Sequence, residues 1–183
     1  MPDVHVFIDG LSLYYQGLRG TPYRWLDPRG LADAMLGNDE IMGIDHYAAP
    51  SMREDRGGPR GFGNHMLYLE ALATLPEVRI QLVPPDDPVT ALAEDMLSRA
   101  EVVGTRACSF IISEDTRLAE PIARAKERYN HRCGVGIPSG GYFASLFEAA
   151  AFYKRVRVSM LKASLLPDPV GSARGPLHKP AGW

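Results

Sequence analysis

The sequence predicts an α/β fold in which helices cover both faces of a mostly parallel central sheet. Short β-branched and aromatic runs alternate along the chain with amphipathic segments at helical spacing. Two of the strand-like runs end in acidic residues, and the carboxyl ends of the strands are where such sheets bind their ligands. The 183 residues suffice for one domain with a hydrophobic core that needs no disulfide.

The elements of the first half are predicted from where apolar runs begin and end. The buried strand at 4–8 ends at Asp9, which a glycine follows. Asp27 and Pro28 supply a helix cap and the proline favoured in a first turn. In order, the patterns predict a strand at 4–8, helices at 11–18 and 25–36, a strand at 44–48, a loop at 50–63 and a helix at 64–75.

The second half contains the most strand-like run of the chain, at 108–113. Asp86 or Asp87 is expected to cap a helix that has Pro88 in its first turn. The predicted elements are strands at 78–83, 108–113 and 134–137, helices at 88–100 and 118–129, and one long helix or two at 145–165. Residues 167–183 are rich in proline and glycine, which predicts a flexible C-terminal tail.

The composition excludes several classes of protein. Apolar residues make up 45% and charged residues 23%, values of an ordinary globular chain rather than a disordered one. Cys108 and Cys133 are too few for a disulfide framework or a cysteine-based zinc site. No apolar stretch is long enough for a membrane span, and acidic residues interrupt the N-terminus where a signal peptide would lie. These features predict a cytoplasmic protein without a membrane partner.

The net charge of −2 conceals an asymmetry along the chain. Residues 1–121 hold 10 basic and 19 acidic side chains, whereas 122–162 hold 8 basic and 2 acidic ones. This distribution fits an acidic metal site beside a phosphate-binding flank. A mixed, solvated surface explains the same distribution equally well.

Acidic residues follow two predicted strands. Asp9 ends the first strand, and Glu114 and Asp115 follow the strand at 108–113, so the three meet if these strands are neighbours. Asp95, on the predicted helix at 88–100, adds a fourth carboxylate. Such oxygens suit Mg²⁺ or Mn²⁺, and the metal would activate water for attack on a phosphoryl group. Alternatively, the strand-end acids are helix caps and Asp95 is a solvated surface residue.

A series of short motifs runs in order along the chain. Residues 6–15 read V-F-I-D-G-L-S-L-Y-Y, and they resemble F-I-D-G-x-N-L-Y-Y, the opening pattern of the NYN domain family, the LabA-like group of mostly bacterial proteins. Further matches are Y-A-A-P at 47–50, Y-L-E-A-L at 68–72, A-L-A-E-D-M-L at 91–97, I-I-S-E-D at 111–115 and S-L-L-P at 164–167. Because the matches run in order over 4–170, the series is more specific than any single motif.

The resemblance implies a Rossmann-like three-layer sandwich, similar to PIN and FLAP-type nucleases, as a single domain over 1–166. It implies a Mg²⁺- or Mn²⁺-dependent endoribonuclease that hydrolyses RNA phosphodiester bonds. Asp9, Asp95 and Asp115 match the family's catalytic acids, and Asp9, Asp115 and Glu114 are the expected metal ligands. Expected substrate contacts lie beside these acids or on the basic flank: Ser12, Tyr15, Ser113, Arg117, Arg124, Lys154 and Arg155.

The sequence departs from the family pattern around these acids. Ser12 replaces an Asn, Glu114 replaces a Gly, and Val89 and Arg117 replace Asp residues. Glu114 is a candidate substitute ligand, and the acids at 86 and 87 are candidate substitutes for the one missing at Val89.

Arg117 decides between two functions. If it pairs with Asp115 it takes the place of the metal, whereas if it faces substrate it binds a phosphate. The first hypothesis is therefore a divergent metal-dependent ribonuclease. The second is a catalytically inactive module of the same family that binds RNA, a protein partner or a second copy of itself.

Overall fold

The central sheet of this computed structural model is parallel throughout. The structure describes residues 3–49, 58–83 and 87–183, with the backbone alone for 58–62. Within these residues, six strands lie in the order β3-β2-β1-β4-β5-β6, and each neighbouring pair is parallel. The strands are Asp3–Asp9 (β1), Glu40–Ala48 (β2), Val78–Leu82 (β3), Ala107–Ile112 (β4), Arg132–Ile137 (β5) and Phe152–Arg155 (β6).

Helices cover both faces of the sheet. They are α1 (Gly10–Ser12), continued by a π-helical segment Leu13–Leu18, α2 (Pro28–Leu36), α3 (Gly58–Leu72), α4 (Pro88–Val103), α5 (Ala119–Tyr129), α6 (Ala144–Ala149) and α7 (Val158–Ala163). Side chains alternate along β1, so Val6 and Ile8 pack toward α2, α3 and α7, whereas Phe7 packs toward α4, α5 and α6. The predicted three-layer α/β fold is confirmed.

The strand order reverses between β1 and β4. The chain first adds β2 and β3 on one side of β1 and then crosses over to add β4, β5 and β6 on the other. Ile8 pairs with Ile112, so the carboxyl ends of β1 and β4 lie side by side. Ligands of open α/β sheets bind in the crevice at such a reversal.

The segment predicted as helical at 145–165 differs from the structure. It contains α6, then β6, then α7. β6 forms because its backbone pairs with the edge of β5 and its Phe152 ring stacks on Phe110, with ring centroids 5.9 Å apart. Tertiary pairing therefore overrides the local helical pattern.

Two further predictions concern the ends of helices, and the first of them differs from the structure. α3 begins at Gly58, so the last part of the predicted loop at 50–63 is helical, while 50–57 lies outside the described residues. Asp87 caps α4 by accepting a hydrogen bond from the Thr90 amide, as one of the two predicted alternatives required. Asp86 lies outside the described residues.

The C-terminal segment, predicted to be flexible, is packed against the domain. It forms an antiparallel hairpin of β7 (Val170–Ser172) and β8 (Gly175–Leu177). Val170 and Leu177 are buried in the core, and the Trp183 ring packs against it. The prediction failed because proline and glycine content indicates only the conformational tendency of the backbone, whereas the burial of these apolar side chains decides whether the segment packs.

None of the described helices is long and apolar enough to cross a membrane.

Candidate functional site

Asp9 is a buried carboxylate at the carboxyl end of β1. It caps α1, where one of its oxygens accepts a hydrogen bond from the Ser12 amide at 3.1 Å. Its other oxygen accepts a hydrogen bond from the Ser113 hydroxyl at 2.8 Å. Burial raises the pKa of Asp9 above its ordinary value, although these two hydrogen bonds favour the ionised form.

Two serines hold the ends of β1 and β4 together. The Ser113 hydroxyl donates to Asp9 and also accepts from the Asp115 amide at 3.1 Å. The Ser12 hydroxyl accepts from the Glu114 amide at 2.9 Å. The structure thus brings Asp9, Glu114 and Asp115 to one edge of the sheet, as the sequence predicts.

Arg117 bridges two carboxylates at the mouth of this site. Its Nε and Nη2 atoms donate to Asp115 at 3.0 and 2.6 Å, and its Nη1 atom donates to Asp87 at 3.0 Å. The hydrogen bonds from Arg117 hold the pKa of Asp115 below its ordinary value. The arginine therefore supplies a positive charge where the resemblance places an acid.

An open cleft of about 430 Å³ surrounds these residues; we call it the acidic cleft. Tyr15 and Ser12 line it on the α1 side, and Val89 contributes an apolar side chain from the first turn of α4. The Glu114 carboxylate is turned toward the loop after β5, where it accepts a hydrogen bond from the Ser139 amide.

Asp95 lies outside the acidic cleft, in contrast to its predicted catalytic role. Its carboxylate accepts a hydrogen bond from the Tyr47 hydroxyl at 2.6 Å and lines a different cavity. Asp95 is six residues beyond Val89 on α4, which corresponds to roughly 9 Å along the helix axis. A motif match in sequence therefore does not place this acid beside Asp9.

The donor set does not fit the magnesium or manganese site that the resemblance implies. Within the described ranges, no group of three or more His, Cys, Asp or Glu side chains is arranged to hold a metal ion. Asp9 and Asp115 lie near each other, but Glu114 is engaged by Ser139 and Asp115 is neutralised by Arg117. Arg117 bonds to both oxygens of Asp115, so a metal ion would have to displace its guanidinium.

A second opening adjoins the acidic cleft at Ser139. This basic groove of about 680 Å³ is lined by the basic side chains of Lys154, Arg155 and Arg157, together with Ser139 and Tyr153. Arg155 ends β6, so the groove lies along the same sheet edge as Asp9. The Lys154 ammonium donates to the Met35 carbonyl at 2.5 Å, which holds its charge beside the groove.

Exposed aromatic rings lie beside the basic groove. Tyr142 and Tyr153 expose 74% and 49% of their surface. Both contact Phe147, whose ring stacks on Tyr153 with a centroid separation of 4.0 Å. The sequence did not predict the exposed ring of Tyr153, because the helix predicted at 145–165 includes this residue.

Arg124, a predicted substrate contact, lies elsewhere. It projects from α5 and pairs with Glu120 one turn earlier on the same helix. It lines neither the acidic cleft nor the basic groove. Its position fits a solvated helix pair.

Comparison with known proteins confirms the fold and gives little information about function. No family model matches the chain. The chain is 24% identical to 6-hydroxy-3-succinoylpyridine 3-monooxygenase HspA of Pseudomonas putida (strain DSM 28022 / S16), over 97% of this chain and 74% of that protein. A crystal structure of a protein of unknown function from Vibrio parahaemolyticus RIMD 2210633 matches with a TM-score of 0.61 and 16% identity, covering 90% of this chain and 96% of that one.

Proposed function

We propose that this protein binds single-stranded RNA along the carboxyl edge of its sheet without hydrolysing it. The observation that carries this proposal is the basic groove, which meets the acidic cleft at Ser139. The motif series that resembles NYN domains supports the choice of RNA over other polyanions. The basic groove and the acidic cleft both lie at the edge where α/β sheets bind their ligands.

The basic groove offers the two kinds of contact that single strands need. The guanidinium groups of Arg155 and Arg157 are exposed and suit backbone phosphates. The rings of Tyr142 and Tyr153 are exposed beside them and offer faces on which bases stack. Stacking and phosphate contacts together give binding with little dependence on sequence.

The pairing of Arg117 supports the non-hydrolytic part of this proposal. Its side chain is 60% exposed, and two carboxylates hold its guanidinium in a defined position. Because Arg117 bonds to both oxygens of Asp115, a metal ion could bind that carboxylate only by displacing the guanidinium.

The test is the affinity for a short fluorescent single-stranded RNA, measured by fluorescence anisotropy at low salt. We expect the double variant Arg155→Gln and Arg157→Gln to weaken binding about tenfold, because two phosphate contacts are lost. The matched control is the double variant Arg124→Gln and Arg128→Gln, which removes the same charge from α5 and should bind as the wild type does. Equal losses in both variants, or no binding by the wild type, would overturn the proposal.

Metal-dependent hydrolysis is the second candidate, because Asp9 and Asp115 are joined through the Ser113 hydroxyl. The same RNA, incubated with MnCl₂ or MgCl₂ and separated on a denaturing gel, distinguishes the two functions. We expect the wild type to leave the RNA intact. Cleavage that disappears in Asp9→Asn would select hydrolysis and reject the non-hydrolytic function.

A further inference from the structure

A second polar cavity lies on the α4 side of the sheet, apart from the acidic cleft. It has a volume of about 230 Å³ and shares no lining residue with the cleft. Charged side chains from three elements face it: Asp45 from β2, Arg79 from β3, and Asp95 and Arg99 from α4. We call it the arginine pocket.

The charge of Asp45 is already balanced. Its carboxylate pairs with the His5 ring at 2.6 Å and accepts hydrogen bonds from Arg79 at 2.8 Å and Gln81 at 3.3 Å. Although burial opposes ionisation, the hydrogen bonds from His5 and Arg79 hold the pKa of Asp45 below its ordinary value. Asp45 is therefore an ionised, saturated acceptor that positions Arg79 at the cavity.

Arg99 forms no ion pair with the acidic residue one helical turn before it. Asp95 lies one helical turn before it, a spacing at which acid and arginine commonly pair. Asp95 instead accepts the hydrogen bond of the Tyr47 hydroxyl at 2.6 Å. Arg99 has no ion pair with any residue that the structure describes, and its buried Nε atom has no hydrogen-bond partner there.

The two arginines face one cavity together with the carboxylates of Asp45 and Asp95, and each carboxylate already accepts a hydrogen bond from another side chain. Burial, followed by the repulsion of Arg79, lowers the pKa of Arg99. A buried donor without a partner costs free energy, and such donors in folded proteins commonly mark an absent ligand or water. An anion placed between the guanidinium groups would relieve this repulsion and give Arg99 the ionic partner that it lacks among the described residues.

We propose that the arginine pocket binds the carboxylate of a small organic acid, with Arg99 as its principal anchor. A carboxylate matches the planar fork of a guanidinium and brings one negative charge. Phosphate would bring up to two charges beside the carboxylates of Asp45 and Asp95. Phe7 supplies an apolar wall for the remainder of the acid.

The test is isothermal titration of the purified protein with sodium benzoate, sodium succinate and sodium acetate, with inorganic phosphate as the competing anion. We expect at least one carboxylate to bind saturably and Arg99→Gln to raise its Kd at least tenfold. Arg128→Gln is the matched control, since it removes an exposed arginine from α5 and should leave the Kd unchanged. Arg99→Lys keeps the charge without the fork and should also lose affinity.

Three results would overturn this assignment. They are no saturable binding of any of the three acids, an unchanged Kd in Arg99→Gln, and phosphate binding tighter than every carboxylate. The RNA affinity of the Arg99→Gln variant provides an independent measurement. Because the pocket is apart from the acidic cleft and the basic groove, Arg99→Gln should bind the fluorescent RNA like the wild type, so failure of the RNA proposal leaves this test intact.

Discussion

Asp9 shows how a single residue serves both fold and site. It ends β1, caps α1 and reaches β4 through Ser113, so three elements depend on one carboxylate. It is only 2% exposed, and burial raises its pKa above 3.8. The folded protein therefore holds the proton more tightly than the unfolded chain does, and ionised Asp9 at neutral pH costs stability.

We expect Asp9→Asn to increase the free energy of unfolding at pH 7 by about 1 kcal/mol, or roughly 2–4 °C in Tm, because the variant removes a buried charge. The gain should shrink as the pH falls through the raised pKa toward 3.8, where Asp9 becomes protonated in both states. Urea unfolding at pH 7 and at pH 4 measures both effects.

The control for Asp9→Asn is Asp87→Asn, a change of the same kind at an exposed helix cap. The hydrogen bonds from Thr90 lower the pKa of Asp87, and Arg117 adds to this effect. Its ionised form is therefore stabilising above its unfolded pKa, and this variant should not gain stability at pH 7. A loss of stability in Asp9→Asn at pH 7 would show that the bonds from Ser12 and Ser113 outweigh burial.

The structure of the C-terminal segment differs most from what its composition predicts. The ring of Trp183 lies 5.7 Å from Tyr68 and 6.5 Å from Trp25, measured between ring centroids. The Arg24 guanidinium covers it at 5.3 Å and donates a hydrogen bond to the Gly182 carbonyl. An aromatic cluster thus joins the chain end to α3 and to the segment that precedes α2.

Trp183→Ala should lower the free energy of unfolding by about 1–3 kcal/mol, because it removes apolar burial and aromatic contacts. Urea denaturation followed by far-UV circular dichroism measures the change. Trp183→Phe keeps part of the cluster and should lose less. If Trp183→Ala unfolds at the same urea concentration as the wild type, the chain end does not contribute to the stability of the domain.

At the scale of the whole molecule, the sheet gathers distant segments into one binding edge. The acidic cleft uses residues near 9, 87 and 115, whereas the basic groove uses residues near 139 and 155. Parallel pairing brings these segments together because every strand of the sheet ends at the same edge. The local charge therefore changes sign along that edge although the net charge is only −2.

This arrangement predicts the salt dependence of RNA binding. Each phosphate contact on a single strand contributes about 0.7 to the slope of log affinity against log salt. Arg155→Gln with Arg157→Gln should therefore reduce the magnitude of the slope by about 1.4, while the α5 double variant should leave it unchanged. Anisotropy titrations over a series of KCl concentrations give these slopes, and parallel lines for all three proteins would contradict a phosphate-binding groove.

Much of the acidic cleft was predictable because its residues belong to strand ends. The apolar runs before Asp9 and Glu114 are continuous, so the sequence predicts two buried strands that end in acids. Asp95 could not be placed in this way, since its position depends on how far α4 extends past the sheet. Lys154 and Arg155 of the basic groove were expected as substrate contacts, but the groove itself was not predicted, because the residues of β6 were assigned to a helix.

The sequence by itself determined the α/β class, the capped helices, the buried strands and the acids that follow them, because these depend on neighbouring residues and on periodicity. Tertiary structure alone decided which distant side chains the acidic residues of the chain bond to. Arg117 bonds to Asp87 across 30 residues, and Asp95 bonds to Tyr47 across 48. Such contacts depend on strand order and helix placement, which arise from packing the whole chain and have no local signature.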